Sequence, residues 1–231
     1  MTRTTIQLVV FDMAGTTVDE DNVVYKTLRD AVNDQGFNCS LEHVLQVGGG
    51  QEKKQAIRDL LSGEGVAMAN LESMADNAYR QFITNLEQAY LNLQVMPCPG
   101  SEAVFSQLRE QGIKVALNTG YQRKTATSLL HKLGWQVGEQ IDLMVTASDV
   151  TNSRPAPDMI LLAMEKLGID QPESVVKVGD TAIDVEEGQQ AGCGLCLGVL
   201  GGAQNREQIA RANPDGILAH LSELMEWVGA D

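Results

Sequence analysis

The chain has 231 residues, of which 43% are apolar, and a formal net charge of −14 at pH 7. A chain of this size and composition can bury one full core and a small second module. The negative charge, with no basic run to offset it, argues against nucleic acid or an anionic membrane surface as a partner. No apolar run reaches the length of a membrane span, and the N-terminus lacks a signal-peptide pattern, so we expect a cytoplasmic protein.

Of the four cysteines, Cys193 and Cys196 are expected to be buried, reduced thiols. Cys193 and Cys196 have the spacing of a redox motif, but they lie in an apolar stretch that predicts a strand. A zinc site would need a second such pair, and the chain has none. We therefore predict neither disulfides nor a zinc site.

An apolar, β-branched run over residues 6–11 predicts a buried strand that ends at Asp12. A small turn containing Gly15 follows, so the carboxylate is expected at the carboxyl end of a strand. In an open parallel sheet this edge binds ligands. Asp12 is therefore a candidate nucleophile, and the alternative is an aspartate that only caps its turn.

Further polar groups follow later strand signals in the same way. Thr119 and Gly120 close an apolar run and could hold a phosphate oxygen. Arg154 precedes a proline-rich turn that opens a helix. Asp180 and Asp184 follow another strand, four residues apart, so both can face one pocket. Together with the first carboxylate they would form an oxygen-rich site suited to Mg²⁺.

In chain order, the pattern changes after the first strand to helical periodicity between about residues 20 and 95. One helix is predicted around Val23–Val32, and further helices are predicted between Leu71 and Leu93. Pro97 to Gly100 end this region. Helix and strand signals then alternate: helix 101–111, strand 114–117, helix 123–133, strand 141–145, helix 157–167, strand 174–178, helix 182–191, strand 194–199 and a final helix 218–228.

This alternation predicts an α/β protein with a doubly wound, Rossmann-like parallel sheet. The helical region reads as an insertion into it. We therefore predict an α/β core domain of residues 1–18 and 97–231, and an α-helical cap domain of residues 19–96.

A glycine-rich segment in the predicted cap, residues 48–50, precedes a helix that carries two adjacent lysines. Lys53 shares an apolar stripe with residues 56, 57, 60 and 61, whereas Lys54 lines up with Arg58. Desolvation and the neighbouring positive charge should lower the pKa of Lys53 and make a neutral amine available. The alternative is a lysine whose stem covers apolar surface while its ammonium reaches water.

Over essentially its whole length the chain resembles the haloacid dehalogenase (HAD) superfamily of phosphoryl-transfer hydrolases, with Asp12, Thr119, Arg154 and Asp180/Asp184 at the positions of its four motifs. Most phosphatases of that superfamily have a second aspartate, a general acid, where this chain has Ala14. The segment 12–19, Asp-x-Ala-Gly-Thr-Thr-Val-Asp, is similar to phosphonoacetaldehyde hydrolase (phosphonatase) and its phosphonatase-like relatives. The cap segment from Gly50 to Leu60 also resembles phosphonatases.

The resemblance implies roles for nine residues. Asp12 would be the nucleophile and Lys53 the lysine that forms a Schiff base with the substrate aldehyde. The substrate-binding positions would be Ala14, Thr119, Gly120, Tyr121 and Arg154, and Mg²⁺ would be held by Asp12, Ala14, Asp180 and Asp184. The resemblance is also compatible with a homodimer that forms through the helical cap.

The expected reaction is hydrolysis of the carbon–phosphorus bond of phosphonoacetaldehyde or a related 2-oxoalkylphosphonate, releasing phosphate and an aldehyde. Transfer of phosphorus to Asp12 would expel a carbanion, and an imine on Lys53 would turn that carbanion into an enamine. The electron sink would thus replace the acid that is missing at Ala14.

Three positions depart from true phosphonatases, which have cysteine at Asn22, methionine at Gly49 and histidine at Ala56. The exact substrate therefore stays open. One alternative is a HAD-type phosphomonoester phosphatase without Schiff-base chemistry. Another is a non-catalytic phosphonate- or phosphate-binding protein, although a bare carboxylate such as Asp12 suits binding alone poorly.

Overall fold

A parallel sheet forms the centre of the computed structural model, which describes residues 5–49 and 51–229. Six strands pair in the order β5-β4-β1-β6-β7-β8, and β2 and β3 form a short antiparallel pair. The strands are β1 (Leu8–Asp12), β2 (Val18–Asp19), β3 (Met96–Pro97), β4 (Lys114–Thr119), β5 (Leu143–Thr146), β6 (Val175–Gly179), β7 (Leu195–Val199) and β8 (Gly216–Leu218).

Helices cover both faces of the sheet, as its apolar strands require. The helices are α1 (Val23–Asn33), α2 (Leu41–Gly48), α3 (Lys53–Gly63), α4 (Met68–Asn92), α5 (Ser101–Glu110), α6 (Arg123–Leu133), α7 (Asp158–Leu167), α8 (Ala182–Ala191), α9 (Arg206–Ala210) and α10 (Leu224–Val228). Side chains alternate along β1, so Val9 and Phe11 pack with α5, α6 and α10, whereas Leu8 and Val10 pack with α7. The doubly wound α/β prediction is therefore confirmed.

Helices α1 to α4 follow β2 and precede β3 along the chain, and they pack on one another. Residue Val18 pairs with Pro97 and Asp19 with Met96, so the chain leaves and re-enters the sheet region at one point. The apolar cluster on the α5 side of the sheet continues into α1, α3 and α4. The division into a core of residues 1–18 and 97–231 and a cap of residues 19–96 stays a prediction, and residues 1–4, 230 and 231 lie outside the described residues.

Two element predictions are wrong. The segment from Leu71 to Leu93 falls in one helix, the 25-residue α4 (Met68–Asn92), which ends one residue before Leu93, rather than in several helices. The predicted final helix 218–228 is replaced by strand β8, a short 3₁₀ turn and the five-residue helix α10. Its first residue, Leu218, pairs instead with Val199 of β7, because the sheet offers an open edge there.

All four cysteines are free thiols, and Cys196 is buried as predicted, whereas Cys193 is only partly buried. Among the described residues, no helix combines the length and apolarity that crossing a membrane requires.

Candidate active site

A cavity lies at the carboxyl ends of β1, β4 and β6, beneath α1 and α3. Every residue selected from the sequence lines it: Asp12, Ala14, Lys53, Thr119, Gly120, Tyr121, Arg154, Asp180 and Asp184. Val24, Tyr25 and Thr181, which had no predicted role, complete the lining. The parallel topology explains the convergence, since these strands all end at the same edge of the sheet.

Asp12 is the last residue of β1, and the backbone turns back immediately after it. The carbonyl of Met13 accepts the amides of Thr17 at 2.9 Å and Val18 at 2.7 Å, and Gly15 has a φ of +82°. The Thr17 hydroxyl donates to the Asp12 carbonyl at 2.9 Å. The backbone carbonyls of the turn are thus hydrogen-bonded within the turn itself, and the Asp12 carboxylate faces the cavity.

Asp180 follows β6 and lies where two glycines approach it closely. A Cβ on Gly202 would lie 2.1 Å from Asp180 Oδ2, and one on Gly15 would lie 2.5 Å from the same atom. The amide of Ala203 donates to Oδ2 at 2.6 Å, and the Thr16 hydroxyl donates to Oδ1 at 3.3 Å. The carboxylate is thus held in one orientation by its surroundings.

Asp184 lies in the first turn of α8, whose N-cap is Thr181. The Thr181 hydroxyl donates to Asp184 Oδ2 at 2.5 Å. The other oxygen, Oδ1, is buried and has no well-aligned hydrogen bond, although it lies 3.0 Å from Arg154 Nη1 and 3.1 Å from Lys177 Nζ. Burial acts to raise the pKa of Asp184, but these two positive charges outweigh it and hold the pKa below the usual value.

Asp12, Asp180 and Asp184 each offer an oxygen to a group in which all three atoms lie within 4.8 Å of one another. Burial raises the pKa of Asp12, and burial together with the charges of Asp12 and Asp184 raises the pKa of Asp180 to about 8. Three buried carboxylates repel one another unless a cation lies between them, and oxygen ligands suit a hard divalent ion. The residues therefore fit a divalent metal. Ala14 has no side-chain oxygen, so its backbone carbonyl is the group that it could offer.

Arg154 is buried and makes contacts with several acceptors at once. Its Nη1 donates to Asp12 Oδ1 at 2.6 Å, its Nη2 to the Asn118 carbonyl and side-chain oxygens at 2.8 and 2.7 Å, and its Nε to Glu187 Oε2 at 3.0 Å. The guanidinium therefore neutralises the candidate nucleophile and fixes its orientation.

Two charged residues below the cavity are not predicted by the sequence analysis. Lys177, fully buried on β6, donates to Asn118 Oδ1 at 2.7 Å and lies 3.2 Å from Glu187 Oε2. Glu187, fully buried on α8, also accepts the Asn118 side-chain amide at 2.8 and 3.0 Å. The signal was a lysine inside the apolar run 175–178, since a charge at a buried strand position needs a partner.

Lys53 begins α3 and has its side chain inside the cavity. Its Nζ donates to the Gln51 carbonyl at 2.8 Å and lies 4.8 Å from the centre of the Tyr25 ring. Burial lowers the pKa of Lys53 to about 8, against the raising effect of Asp12. In the sequence analysis, the adjacent Lys54 is expected to contribute to this lower pKa, but it does not. The Lys54 ammonium lies outside the cavity, where it pairs with Asp76 at 2.7 Å.

Thr119, Gly120 and Tyr121 follow β4 at the cavity wall. The Thr119 hydroxyl accepts the Tyr121 amide at 3.2 Å. The Tyr121 ring is buried and meets the ring of Tyr90 edge-on, with centres 6.5 Å apart. Burial raises the pKa of Tyr121 well above its usual value, so this hydroxyl stays protonated.

At two of the three positions that differ from phosphonatases, Gly49 and Ala56, the structure shows close packing, and at the third, Asn22, it shows an unusual backbone conformation. A Cβ on Gly49 would lie 2.7 Å from the Leu45 carbonyl oxygen, and a Cβ on Gly48 would lie 3.0 Å from Ala56 Cβ. Asn22 adopts a left-handed backbone conformation, with a φ of +53°, directly before α1. Gly50, the remaining glycine of the cap motif, lies outside the described residues.

A doubly wound sheet with a candidate nucleophile at the end of β1, and two further buried carboxyl groups after β6, defines a class of α/β hydrolytic enzymes. The profile of the haloacid dehalogenase-like hydrolases matches residues 9–197, and the chain belongs to this family.

Two curated relatives differ in the activity that their names give. The phosphonoacetaldehyde hydrolase of Latilactobacillus sakei subsp. sakei is 34% identical over 205 residues, 85% of this chain and 76% of the relative. The phosphoglycolate phosphatase of Yersinia pestis is 26% identical over 229 residues, 97% of this chain and 94% of the relative. Among solved structures, a phosphonoacetaldehyde hydrolase-like protein from Oleispira antarctica superposes with a TM-score of 0.83 at 24% identity, covering 98% of this chain and 92% of that one. The recognition of the superfamily and its phosphonatase branch is thereby confirmed.

Proposed function

We propose that the protein hydrolyses the carbon–phosphorus bond of phosphonoacetaldehyde or a related 2-oxoalkylphosphonate. Asp12 would form an aspartyl-phosphate and Lys53 a Schiff base. The observation that carries the proposal is the position of Lys53: its ammonium is buried in the same cavity as the Asp12 carboxylate, and its pKa is lowered to about 8. A lysine whose ammonium reached water would keep its ordinary pKa and could not provide a neutral amine near neutral pH.

The two functional groups complement each other chemically. Lys53 attacks the substrate carbonyl and forms a protonated imine, and Asp12 attacks phosphorus in line. The electrons of the broken carbon–phosphorus bond then form an enamine instead of a free carbanion. Ala14 offers no acid for a leaving alcohol, and an enamine needs none.

The phosphoryl group would be held by residues of the core edge. Arg154 would share Nη1 between Asp12 and a phosphoryl oxygen, and the Thr119 hydroxyl would bind a second oxygen. A Mg²⁺ ion held by Asp12, Asp180, Asp184 and the Ala14 carbonyl would neutralise charge on the phosphoryl oxygens and the attacking carboxylate. Water then hydrolyses the aspartyl-phosphate. A proton adds to the carbon that carried phosphorus and turns the enamine back into the imine, and hydrolysis of this imine releases the aldehyde and the Lys53 amine.

Phosphate release from phosphonoacetaldehyde with Mg²⁺ tests the proposal in wild type, Lys53→Arg and Asp12→Ala. We expect release by wild type and none by either variant, because a guanidinium keeps the charge but cannot form an imine, and alanine cannot accept phosphorus. Lys54→Arg is the matched control and should retain activity, since Lys54 pairs with Asp76 outside the cavity. Release that survives Lys53→Arg would refute the Schiff base.

The second candidate is a phosphomonoester phosphatase, which the similarity to a phosphoglycolate phosphatase over 97% of the chain favours. In that case Lys53 would only contact the phosphate. Hydrolysis of phosphoglycolate or an aryl phosphate that survives Lys53→Ala, without any release from phosphonoacetaldehyde, would select this alternative.

A further inference from the structure

A buried aromatic ring that the proposed mechanism does not use faces the nitrogen of Lys53. Tyr25 and Lys53 both line the cavity, and they are 7% and 9% exposed. Lys53 Nζ lies over the Tyr25 ring, 4.8 Å from its centre. An aromatic face attracts a cation within about 6 Å, and the attraction is stronger where water is excluded.

Both partners are held at the start of a helix. Tyr25 is the third residue of α1, and Glu20 Oε2 accepts the Val24 amide in the same turn at 3.2 Å. Lys53 is the first residue of α3, and the Glu52 side chain accepts the next two amides at 3.0 and 2.9 Å. The distance between the ring and the nitrogen is therefore set by two helix starts whose amides are hydrogen-bonded.

Burial disfavours a positive charge on the Lys53 nitrogen and lowers its pKa. Two uncharged groups oppose this effect by direct contact: the Gln51 carbonyl accepts from Nζ at 2.8 Å, and the Tyr25 ring faces it. Nearby carboxyl groups, among them Asp12, oppose it as more distant charges. A protonated imine at this position keeps one N–H, which can stay on the carbonyl oxygen while the ring lies against the charged nitrogen.

We propose that the Tyr25 ring stabilises the protonated imine of Lys53 and thereby favours carbon–phosphorus cleavage. The inference rests on the Schiff-base function proposed above. When phosphorus passes to Asp12, the electron pair of the carbon–phosphorus bond forms the double bond of the enamine, and the pair of the carbon–nitrogen double bond returns to nitrogen. The protonated imine accepts these electrons and becomes neutral, whereas a neutral imine would have to become an anion.

The benefit of the ring depends on pH. An imine nitrogen is a weaker base than an amine nitrogen, and burial weakens it further. Above the pKa of the imine, an aromatic face that favours the cation enlarges the reactive fraction. Below that pKa the imine is protonated in any case, and the ring gives no gain. Removal of the ring should therefore affect the reaction at high pH and leave it unchanged at low pH.

Other ionisable groups surround Lys53 and must be the same in the proteins that are compared. These groups are Asp12 of β1, Glu20 before α1, Glu52 before α3, Tyr121 after β4, Arg154 before α7, Asp180 after β6 and Asp184 of α8. Substitutions at Tyr25 leave all of them in place. Tyr25→Leu removes the ring and keeps an apolar side chain, whereas Tyr25→Phe removes only the hydroxyl.

Carbon-13 NMR titration of the lysine side chains tests the contact without substrate. The Lys53 signals are assigned by their absence in Lys53→Arg, and wild type, Tyr25→Phe, Tyr25→Leu and the control Tyr79→Leu are titrated at one Mg²⁺ concentration. Tyr79 packs on Phe82 within α4, with ring centres 6.0 Å apart. We expect the pKa of Lys53 to fall by about one pH unit in Tyr25→Leu, the tenfold effect of losing a desolvated cation–π contact, and to stay unchanged in the other two variants.

Phosphate release from phosphonoacetaldehyde, measured against pH in the same proteins, tests the role of the ring in the reaction. We expect kcat of Tyr25→Leu to equal that of wild type at low pH and to be about tenfold lower above the pKa of the imine. Tyr25→Phe should follow the wild-type profile at every pH, because it keeps the aromatic face.

Four results would overturn the inference. An unchanged pKa of Lys53 in Tyr25→Leu would show that the ring does not stabilise a cation at this nitrogen. Wild-type kcat in Tyr25→Leu at every pH would exclude an effect on the imine. A loss of kcat that is equal at all pH values in Tyr25→Leu, or that also occurs in Tyr25→Phe, would give Tyr25 a packing or hydroxyl role instead. No phosphate release by wild type, with a lower pKa of Lys53 in Tyr25→Leu, would remove the proposed function and the role of the ring in it, while the contact itself stands.

Discussion

At the scale of single residues, the cavity floor contains more negative than positive groups. Arg154 and Lys177 face the carboxyl groups of Asp12, Asp184 and Glu187, with N···O distances from 2.6 to 3.2 Å. Asp180 adds a fourth carboxyl group, whose raised pKa reflects the imbalance. A divalent cation would balance these four carboxyl groups, so charge and ligand chemistry lead to the same conclusion.

Lys177 should stabilise the fold through this cluster. In Lys177→Met, Asp184 and Glu187 lose a buried positive partner, so we expect the free energy of unfolding to fall by about 3–5 kcal/mol in urea titrations. Lys114→Met is the control: Lys114 pairs with Asp142 at the exposed start of β4, and its loss should cost about 1 kcal/mol or less. Equal losses in the two variants would contradict a structural role for the buried cluster.

The site residues were predictable to different degrees from local signals. Asp12 and Asp180 each follow an apolar run and precede a turn, so sequence order alone places them at one sheet edge. Glu20, a buried carboxyl group between β2 and α1, has no local signal, because the Tyr90 hydroxyl that donates to it comes from a residue 70 positions away. Lys177 did carry a signal, but its partners could be found only after the approach of α8 to β6 was known.

At the scale of elements, the position of α8 depends on a glycine. A Cβ on Gly188 would lie 2.7 Å from Lys177 Cβ and 2.8 Å from Cys196 Sγ. The glycine lets the helix approach β6 and β7 closely enough for Asp184 and Glu187 to reach the buried lysine.

Gly188→Ala should therefore move α8 away from the sheet. We expect a loss of about 1–3 kcal/mol in the free energy of unfolding, as for other overpacked sites, together with weaker phosphate release. Gly63→Ala, at the end of α3, is the matched control. A Cβ there meets nothing within 4 Å, so helix propensity should make that variant as stable as wild type or slightly more stable. A fully stable Gly188→Ala would show that the contact is not required.

Element prediction succeeded where local signals end a helix. The observed bounds of α6 and α8 equal the predicted ones, because a glycine in the left-handed conformation, Gly134 or Gly192, follows each helix. The C-terminal prediction failed, because residues 216–218 have an apolar pattern too short to distinguish an edge strand from a helix start. Pairing with β7 decided the outcome.

At the scale of the whole molecule, stability should depend on pH through the buried carboxyl groups. In the metal-free protein, Asp180 has a pKa of about 8 instead of 3.8, so between these values the folded state binds a proton that the unfolded state releases. The free energy of unfolding must then fall as pH rises through that window, and Glu20 acts in the same direction between 4.5 and about 7.

Urea unfolding in EDTA at several pH values across this window tests the dependence. We expect Asp180→Asn to reduce the slope, because asparagine does not titrate. Mg²⁺ should also reduce it by stabilising the ionised carboxylates. A slope that is the same in wild type and Asp180→Asn would contradict the assignment.

The proposed reaction requires that Lys53 and Asp12 act on the same substrate molecule. The most direct test is borohydride reduction of Asp12→Asn in the presence of phosphonoacetaldehyde, followed by peptide mass spectrometry. Asparagine cannot accept phosphorus, so the imine should accumulate. We predict a reduced adduct on Lys53 that still contains phosphorus, with no phosphate released. A folded Asp12→Asn protein without any modification at Lys53 would contradict it.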